Sequence, residues 1–385
     1  MISDVYFPRI TGVSTSIRIF RRELAARGHT VDLIAPAYPS ANCGETGVER
    51  IPSRYLVVDP EDRMMIGRAI RRLQPALERR RYDLVHIQTP FVAHYAGLRL
   101  AAKLGTPVVA SYHTYFEEYF SHYLPWLPRV WLQYAARRFS RSQCNAVDAV
   151  VVPSKPIHDL LHRYGVYTPI KVIPTGIERQ WLAAGDGLGF RRRHGIQPQR
   201  PLLLTVGRVA HEKNIDFLLQ MLVLVRRQWP DVLLLIAGDG PARPHLTELA
   251  RRLGIQNNVL FLGYLEREHE LPDCYLAADV FVFASRTETQ GLVLLEALLA
   301  GTPVVATAHL GTAEILAPRR GALVAADDVA DFAAQVLRLL NDPALRRTLS
   351  RDAQDHAQTW SAPALAGELE SLYRDVSQAA VSQGG

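Results

Sequence analysis

The chain has 385 residues, 48% hydrophobic and 21% charged, a balance that excludes disordered, collagen-like and low-complexity classes and, at roughly 150 residues per domain, favours two domains. No run reaches the roughly 18 uncharged apolar residues of a spanning helix; the nearest, 291–306, is interrupted by Glu296. Residues 1–180 carry 24 basic against 15 acidic side chains and the remainder 20 against 23, which points to an anionic partner for the front half only.

The opening residues have no basic-then-apolar signal and carry Asp4 at once, which argues against secretion. Cys43, Cys144 and Cys274 are odd in number and far apart, so they read as reduced thiols without a disulfide framework or metal spacing. Short β-branched or apolar runs alternate with longer amphipathic ones, the pattern of parallel sheets with helical crossovers. The first half predicts strands at 2–6, 30–35, 84–88, 108–112, 149–153 and 171–174, with helices such as 14–27 and 65–81. Few residues precede the first turn, so the first strand reads as clipped, or the natural start lies upstream of Met1.

Gly, Asp and Arg dominate 185–189, and no strand is legible before Leu202. A linker is therefore expected at 181–200, between an N-terminal domain at 1–180 and a C-terminal one at 201–358. The second alternation predicts strands at 202–206, 232–237, 259–262, 280–284 and 304–306, with helices at 214–228, 241–253, 291–300 and 330–341. Residues 360–378 read as one helix, and the closing stretch 359–385 is expected to return to the first domain. The fold class is α/β. Two doubly wound units imply a cleft, with ligands at the carboxyl ends of the strands.

Three motifs carry chemistry. In the segment 6–16, Gly12 lets the backbone approach a ligand at a helix N-terminus capped by Ser14, a place that favours negative charge. In 202–214, Gly207 permits a turn while Arg208 and Lys213 flank the strand-to-helix loop; a forked and a compact cation there suit a diphosphate. Gly238, after the next strand, offers a second backbone approach. In 285–297, Glu288 precedes Gly291 and Glu296 lies inside the helix that starts there. Eight helical residues span roughly 12 Å, more than the 5–9 Å or so between glycosidase carboxylates. Two such acceptors fit different hydroxyl-rich parts of one elongated ligand.

These motifs together resemble the retaining family-4 glycosyltransferases of the GT-B fold, marked by a Gly loop after strand one (here Thr11-Gly12-Val13), a Gly-Arg…Glu-Lys segment (Gly207-Arg208…Glu212-Lys213) and a Glu-x7-Glu pattern (Glu288…Glu296). Thr11 stands where the family commonly has a first Gly. The resemblance implies two Rossmann-like domains facing a cleft, with Arg208, Lys213 and the Gly12 amide on the diphosphate of a nucleotide sugar. It places Glu296 on the ribose hydroxyls, Glu288 on the donor sugar, and amides of Gln290, Gly291, Leu292 and Val293 around the cradle. His113, in a strand-end Ser-Tyr-His-Thr-Tyr-Phe run, matches the family's His near the donor sugar. No cofactor or metal is implied. The run 113–125 and Thr287-Glu-Thr-Gln-Gly-Leu are closest to bacterial members that glucosylate diacylglycerol or related glycolipids, with UDP-glucose as the implied donor. GDP-mannose-dependent mannosyltransferases are the nearest alternative. A nucleotide-sugar 2-epimerase and a non-catalytic nucleotide-sugar sensor are alternatives of other classes.

Basic residues cluster at 68–81 and again at 123–141, where Trp126, Val130, Trp131, Tyr134 and Phe139 mingle with Arg129, Arg137, Arg138 and Arg141. A helix with aromatic and basic sides fits a lipid headgroup layer. An anionic membrane surface is thus expected as partner of the first domain, with the protein cytoplasmic and peripheral on the inner face. Nucleic acid is not expected, since no reading module is visible.

Overall fold

The computed structural model describes residues 1–39, 45–55, 63–117 and 127–384. The chain forms two units, one of Met1–Gly176 with Ala362–Gly385 and one of Ile177–Ser361.

In the second unit six strands are hydrogen-bonded in the order Val259–Gly263, Leu233–Ala237, Leu202–Val206, Val280–Phe283, Val304–Thr307, Ala322–Ala325, every pair parallel. Side chains of a strand alternate between faces. Leu202, Leu204, Leu233 and Leu235 join one hydrophobic cluster, whereas Leu203, Leu234 and Ile236 join the other. A sheet covered on both faces needs such uninterrupted apolar runs.

The first unit repeats the plan. Strands Val48–Ile51 and Leu33–Pro36 lie on one side, and Val85–Ile87, Val108–Ser111, Ala149–Val152 and Ile170–Val172 on the other. Ile2 bridges both Ile34 and Ile87. The strand expected at 2–6 is thus cut to one bridging residue. Asp4 turns away because its carboxylate accepts from Thr89 Oγ1 (2.9 Å) and from the Ala93 amide (3.1 Å), at the start of helix Val92–Leu104.

Residues 181–200 are folded, not a linker. Helix Gly187–Arg193 buries Phe190 and Arg191, and the Arg191 guanidinium donates to the carbonyls of Ala277, Gln197, Pro198 and Arg200 and to Asp279. Helix Ala362–Gly384 packs Ala366 and Leu369 with Phe20, Leu24, Val109 and Val151 of the first unit. Its Tyr373 hydroxyl is hydrogen-bonded to buried His86 Nδ1 at 2.5 Å. Cys144 and Cys274 are buried free thiols; Cys43 lies outside the described residues. No described helix is long and apolar enough to cross a membrane.

Candidate active site

In the second sheet the strand order reverses between Leu202–Val206 and Val280–Phe283. Loops leaving the carboxyl ends of these two neighbours diverge, and the crevice so formed is where doubly wound sheets hold ligands. Gly207 and Arg208 follow the first strand. Glu288 follows the second.

Hydrogen bonds fix these loops. Gly207 N donates to Ala237 O (3.0 Å), Val209 N to Asp239 O (2.9 Å) and Ala242 N to Val209 O (2.9 Å). Gly207 takes φ 147°, and a Cβ there would meet nothing within 4 Å, so its flank is open. Gly238 differs: a Cβ would lie 1.9 Å from Gly207 O. Its missing side chain therefore serves loop-on-loop packing. Asn214, left-handed at φ 55°, donates from Nδ2 to Ala284 O (3.1 Å), and Ser285 Oγ donates to Glu212 O (3.2 Å). These two bonds tie the Lys213 turn to the Glu288 loop.

Lys213 Nζ donates to Glu288 Oε1, with side chains 24% and 18% exposed. Burial acts to lower the Lys213 pKa and the nearby Arg208 charge adds to that, but the Glu288 charge and hydrogen bond outweigh both and the pKa is raised. Lys213 is a firmly held cation. Gly291, at φ 95°, is the N-cap of helix Leu292–Leu299 and supplies no side-chain cap. The amides of Leu292 and Val293 therefore open that helix without a capping side chain, while Gln290 beside them is buried. From below, Gly311 N donates to Glu288 O (3.0 Å).

Glu296, which the resemblance places on the ribose hydroxyls, also bonds within its own unit, one donor to each oxygen, and a carboxylate has about four acceptor sites. Its side chain is 3% exposed, and both oxygens are engaged, Oε1 by Arg267 Nη2 (2.7 Å) and Oε2 by the Tyr275 hydroxyl (2.8 Å). A carboxylate on an apolar helix face must be paired, and this one is paired inside the protein. Sequence reading missed Arg267, which lies in a charged stretch with no motif around it.

Gly12 and His113 belong to the first unit. Helix Gly12–Ala26 is capped by Thr11, whose side chain accepts from Ser14 N; the cap expected at Ser14 is corrected, since Ser14 is buried and donates to Arg9 O at 2.7 Å. His113 Nε2 lies 3.3 Å from Gln88 Oε1, and desolvation lowers its pKa to about 4. Its ring is thus neutral at ordinary pH.

Helix Arg129–Cys144 buries Leu132, Ala136, Ser140 and Cys144 and leaves Val130, Trp131 and Tyr134 exposed beside exposed Arg129, Arg138 and Arg141. Phe139, expected among the outward aromatics, packs inward against Phe116 at 5.3 Å between centroids. Trp126 lies outside the described residues.

Two parallel doubly wound units, the second with a cation–carboxylate pair at its switch point, define the architecture of a GT-B glycosyltransferase. The chain belongs to the family-4 glycosyltransferases: the family described as Glycosyltransferase Family 4 matches residues 10–181, and that described as Glycosyl transferases group 1 matches 189–356. The chain is similar to the alpha-monoglucosyldiacylglycerol synthase of Streptococcus pneumoniae, with 36% identity over 80% of this chain and 70% of that one. It is also similar to a GDP-mannose-dependent alpha-mannosyltransferase of Mycobacterium tuberculosis, with 29% identity over 84% and 82%. Among solved structures, Anabaena Alr3699/HepE in complex with UDP-glucose shares the fold with a TM-score of 0.76 at 18% identity, covering 97% of this chain and 99% of that one.

Proposed function

We propose that the protein is a retaining hexosyltransferase that moves glucose from UDP-glucose to a hydroxyl of a membrane lipid, diacylglycerol or a glycolipid. The observation that carries this reading is the Lys213–Glu288 pair at the switch point, in a chain whose 36% identical relative is named an alpha-monoglucosyldiacylglycerol synthase. As the glycosidic bond breaks, negative charge grows on the departing diphosphate. Fixed positive groups at that place are the largest single contribution available to catalysis. Arg208 and Lys213 supply two, and the amides from Gln290 to Val293 add the positive end of a helix dipole. Glu288, oriented by Lys213, accepts from a hydroxyl of the donor sugar. Retention follows from attack on the face of departure, so no protein nucleophile is assigned.

The acceptor side rests on helix Arg129–Cys144. Its exposed Val130, Trp131 and Tyr134 offer an apolar wedge, and each neighbouring Arg contributes about 1 kcal/mol near an anionic surface. Peripheral docking on an anionic leaflet is the result. The purified protein is expected to sediment with vesicles containing anionic lipid and not with neutral ones; equal binding to both, or none at low salt, removes the docking.

The deciding assay offers UDP-glucose, GDP-mannose and ADP-glucose with anionic vesicles that carry diacylglycerol. Lipid-extractable glucose from UDP-glucose is expected. Transfer from GDP-mannose alone supports the second reading, a mannosyltransferase, which the 29% identical mannosyltransferase relative favours. Acceptor-free conversion of the donor signals an epimerase. Binding without transfer or hydrolysis signals a sensor.

A further inference from the structure

Helix Lys155–Arg163 follows strand Ala149–Val152 of the first unit and turns Ile157, Leu160 and Leu161 into the core. Residues four apart on a helix are neighbours, so His158 and His162 meet on the opposite face. Their ring centroids lie 4.5 Å apart, with 68° between the planes. The His158 side chain is 22% exposed, and His162 is exposed. Asp159 Oδ1 lies 2.8 Å from His158 Nδ1 and also accepts from Lys155 Nζ. Lys155 Nζ is 3.1 Å from the same Nδ1. An ammonium group only donates, so the carboxylate is the acceptor for both, and His158 carries its proton on Nδ1. Among the described residues, His158 Nε2 and the two ring nitrogens of His162 make no hydrogen bond.

An imidazole that gives its Nδ1 proton to a carboxylate keeps a lone pair on Nε2. That is the form in which histidine ligates a metal, and the carboxylate behind the ring makes the ligating nitrogen more basic. Two imidazoles whose nitrogens lie about 2.0–2.1 Å from one ion hold their ring centres about 4.5–5 Å apart, and the observed spacing falls there. Two histidines four apart on one helix face are a known zinc-binding arrangement. We infer that His158 and His162 form a chelating site for a divalent first-row transition cation, with Asp159 as the residue that orients His158. No group of three or more His, Cys, Asp or Glu among the described residues could hold a metal, so the protein supplies two ligands and solvent the others. Lys155 works against the cation, and Asp159 offsets that charge. Imidazole ligands favour copper over nickel and zinc, whereas magnesium, which takes oxygen ligands, is not held. The site lies within one helix and is independent of the nucleotide-sugar reading.

Calorimetric titration of the full chain with the chlorides of Cu²⁺, Ni²⁺, Zn²⁺ and Mg²⁺ tests the assignment. His158→Gln and His162→Gln each leave one imidazole, and melting temperatures confirm that every variant is folded. Each is expected to weaken Cu²⁺ and Zn²⁺ binding by about tenfold or more, no less than a lost supporting contact costs. Lys155→Gln, which takes a like charge away, is expected to tighten binding. A wild type that binds none of Cu²⁺, Ni²⁺ and Zn²⁺, or binds them no better than both histidine variants, overturns the site. A loss in only one of the two variants means that a single imidazole holds the ion, and it overturns the chelate. For the orienting role, Asp159→Ala and Asp159→Asn are each combined with Lys155→Gln, so that no lysine charge is stranded. Relative to Lys155→Gln alone, the Ala variant is expected to bind about tenfold more weakly, and the Asn variant, which keeps an acceptor oxygen, to recover part of that loss. Equal affinity in all three overturns the role given to Asp159.

Discussion

Lys213 keeps its charge because Glu288 outweighs the desolvation that opposes it, and the proposed function sets that charge against the leaving group. Lys213→Ala is expected to lower kcat about ten- to a thousandfold, the range for losing one transition-state donor, in a steady-state assay with saturating donor. A rate near wild type would show that the diphosphate lies elsewhere. Asp4 is a different case. Burial, only partly offset by hydrogen bonds from Ala93, Thr89, Phe91 and Val92, raises its pKa to about 6. An acid with a raised folded-state pKa contributes stability that is complete below its unfolded value and is lost as pH climbs through the folded one. Between pH 4.5 and 7 that loss amounts to about 2 kcal/mol. Asp4→Asn is expected to remove this part of the pH dependence, measured by urea denaturation at the two pH values; identical slopes in both proteins would contradict it.

The element that fixes Glu288 from below is a strained turn. Leu310 sits at φ 46°, ψ −125°, the second position of a type II′ turn, where glycine is preferred, and Thr312 N closes the turn onto His309 O at 3.0 Å. Such strain costs about 1–3 kcal/mol. Leu310→Gly is accordingly expected to stabilise the protein by about 1 kcal/mol once the backbone entropy of glycine is counted, seen as a higher urea midpoint. At the next residue a Cβ would lie 2.1 Å from Thr289 O, so Gly311→Ala is expected to displace the Glu288 loop and lower kcat even where the protein remains folded. Elements of this sheet were legible where burial on both faces forces unbroken apolar runs, as at Leu202–Val206. Ala322–Ala325, short and small-chained, and the Arg-rich helix Pro343–Ala357 escaped reading. So did the packing of 181–200, because a buried Arg191 satisfied by carbonyls reads as linker polarity. In the site, turn spacing exposed Arg208, Lys213 and Glu288. Arg267 had no such spacing, and the pairing of Glu296 with it depends on a strand order that the local sequence does not state.

The two units differ in how the chain closes them. Both hydrophobic clusters of the second unit are drawn wholly from 177–361, so that unit is built from continuous chain. The first unit needs both ends of the sequence: the cluster covering Val109, Ala149 and Val151 is completed by Ala366 and Leu369, with Leu372, Tyr373 and Val376 packed against it. Buried His86, whose pKa desolvation holds well below the usual value, has the Tyr373 hydroxyl on one ring nitrogen and Ser111 Oγ on the other. Removing helix Ala362–Gly384 would expose several apolar side chains at about 1.5–3 kcal/mol for each large one and unpair a buried imidazole, a loss comparable with the roughly 5–15 kcal/mol that holds a whole domain folded. A chain ending at Ser361 is thus expected to lose cooperative unfolding of the first unit while the second still melts cooperatively. The fragment 177–361, expressed alone, is expected to fold and to be stabilised by UDP through Arg208 and Lys213. Circular dichroism melts with and without nucleotide check both expectations. A fragment that melts without cooperativity would mean that the second unit, despite its continuous chain and private cores, depends on the first.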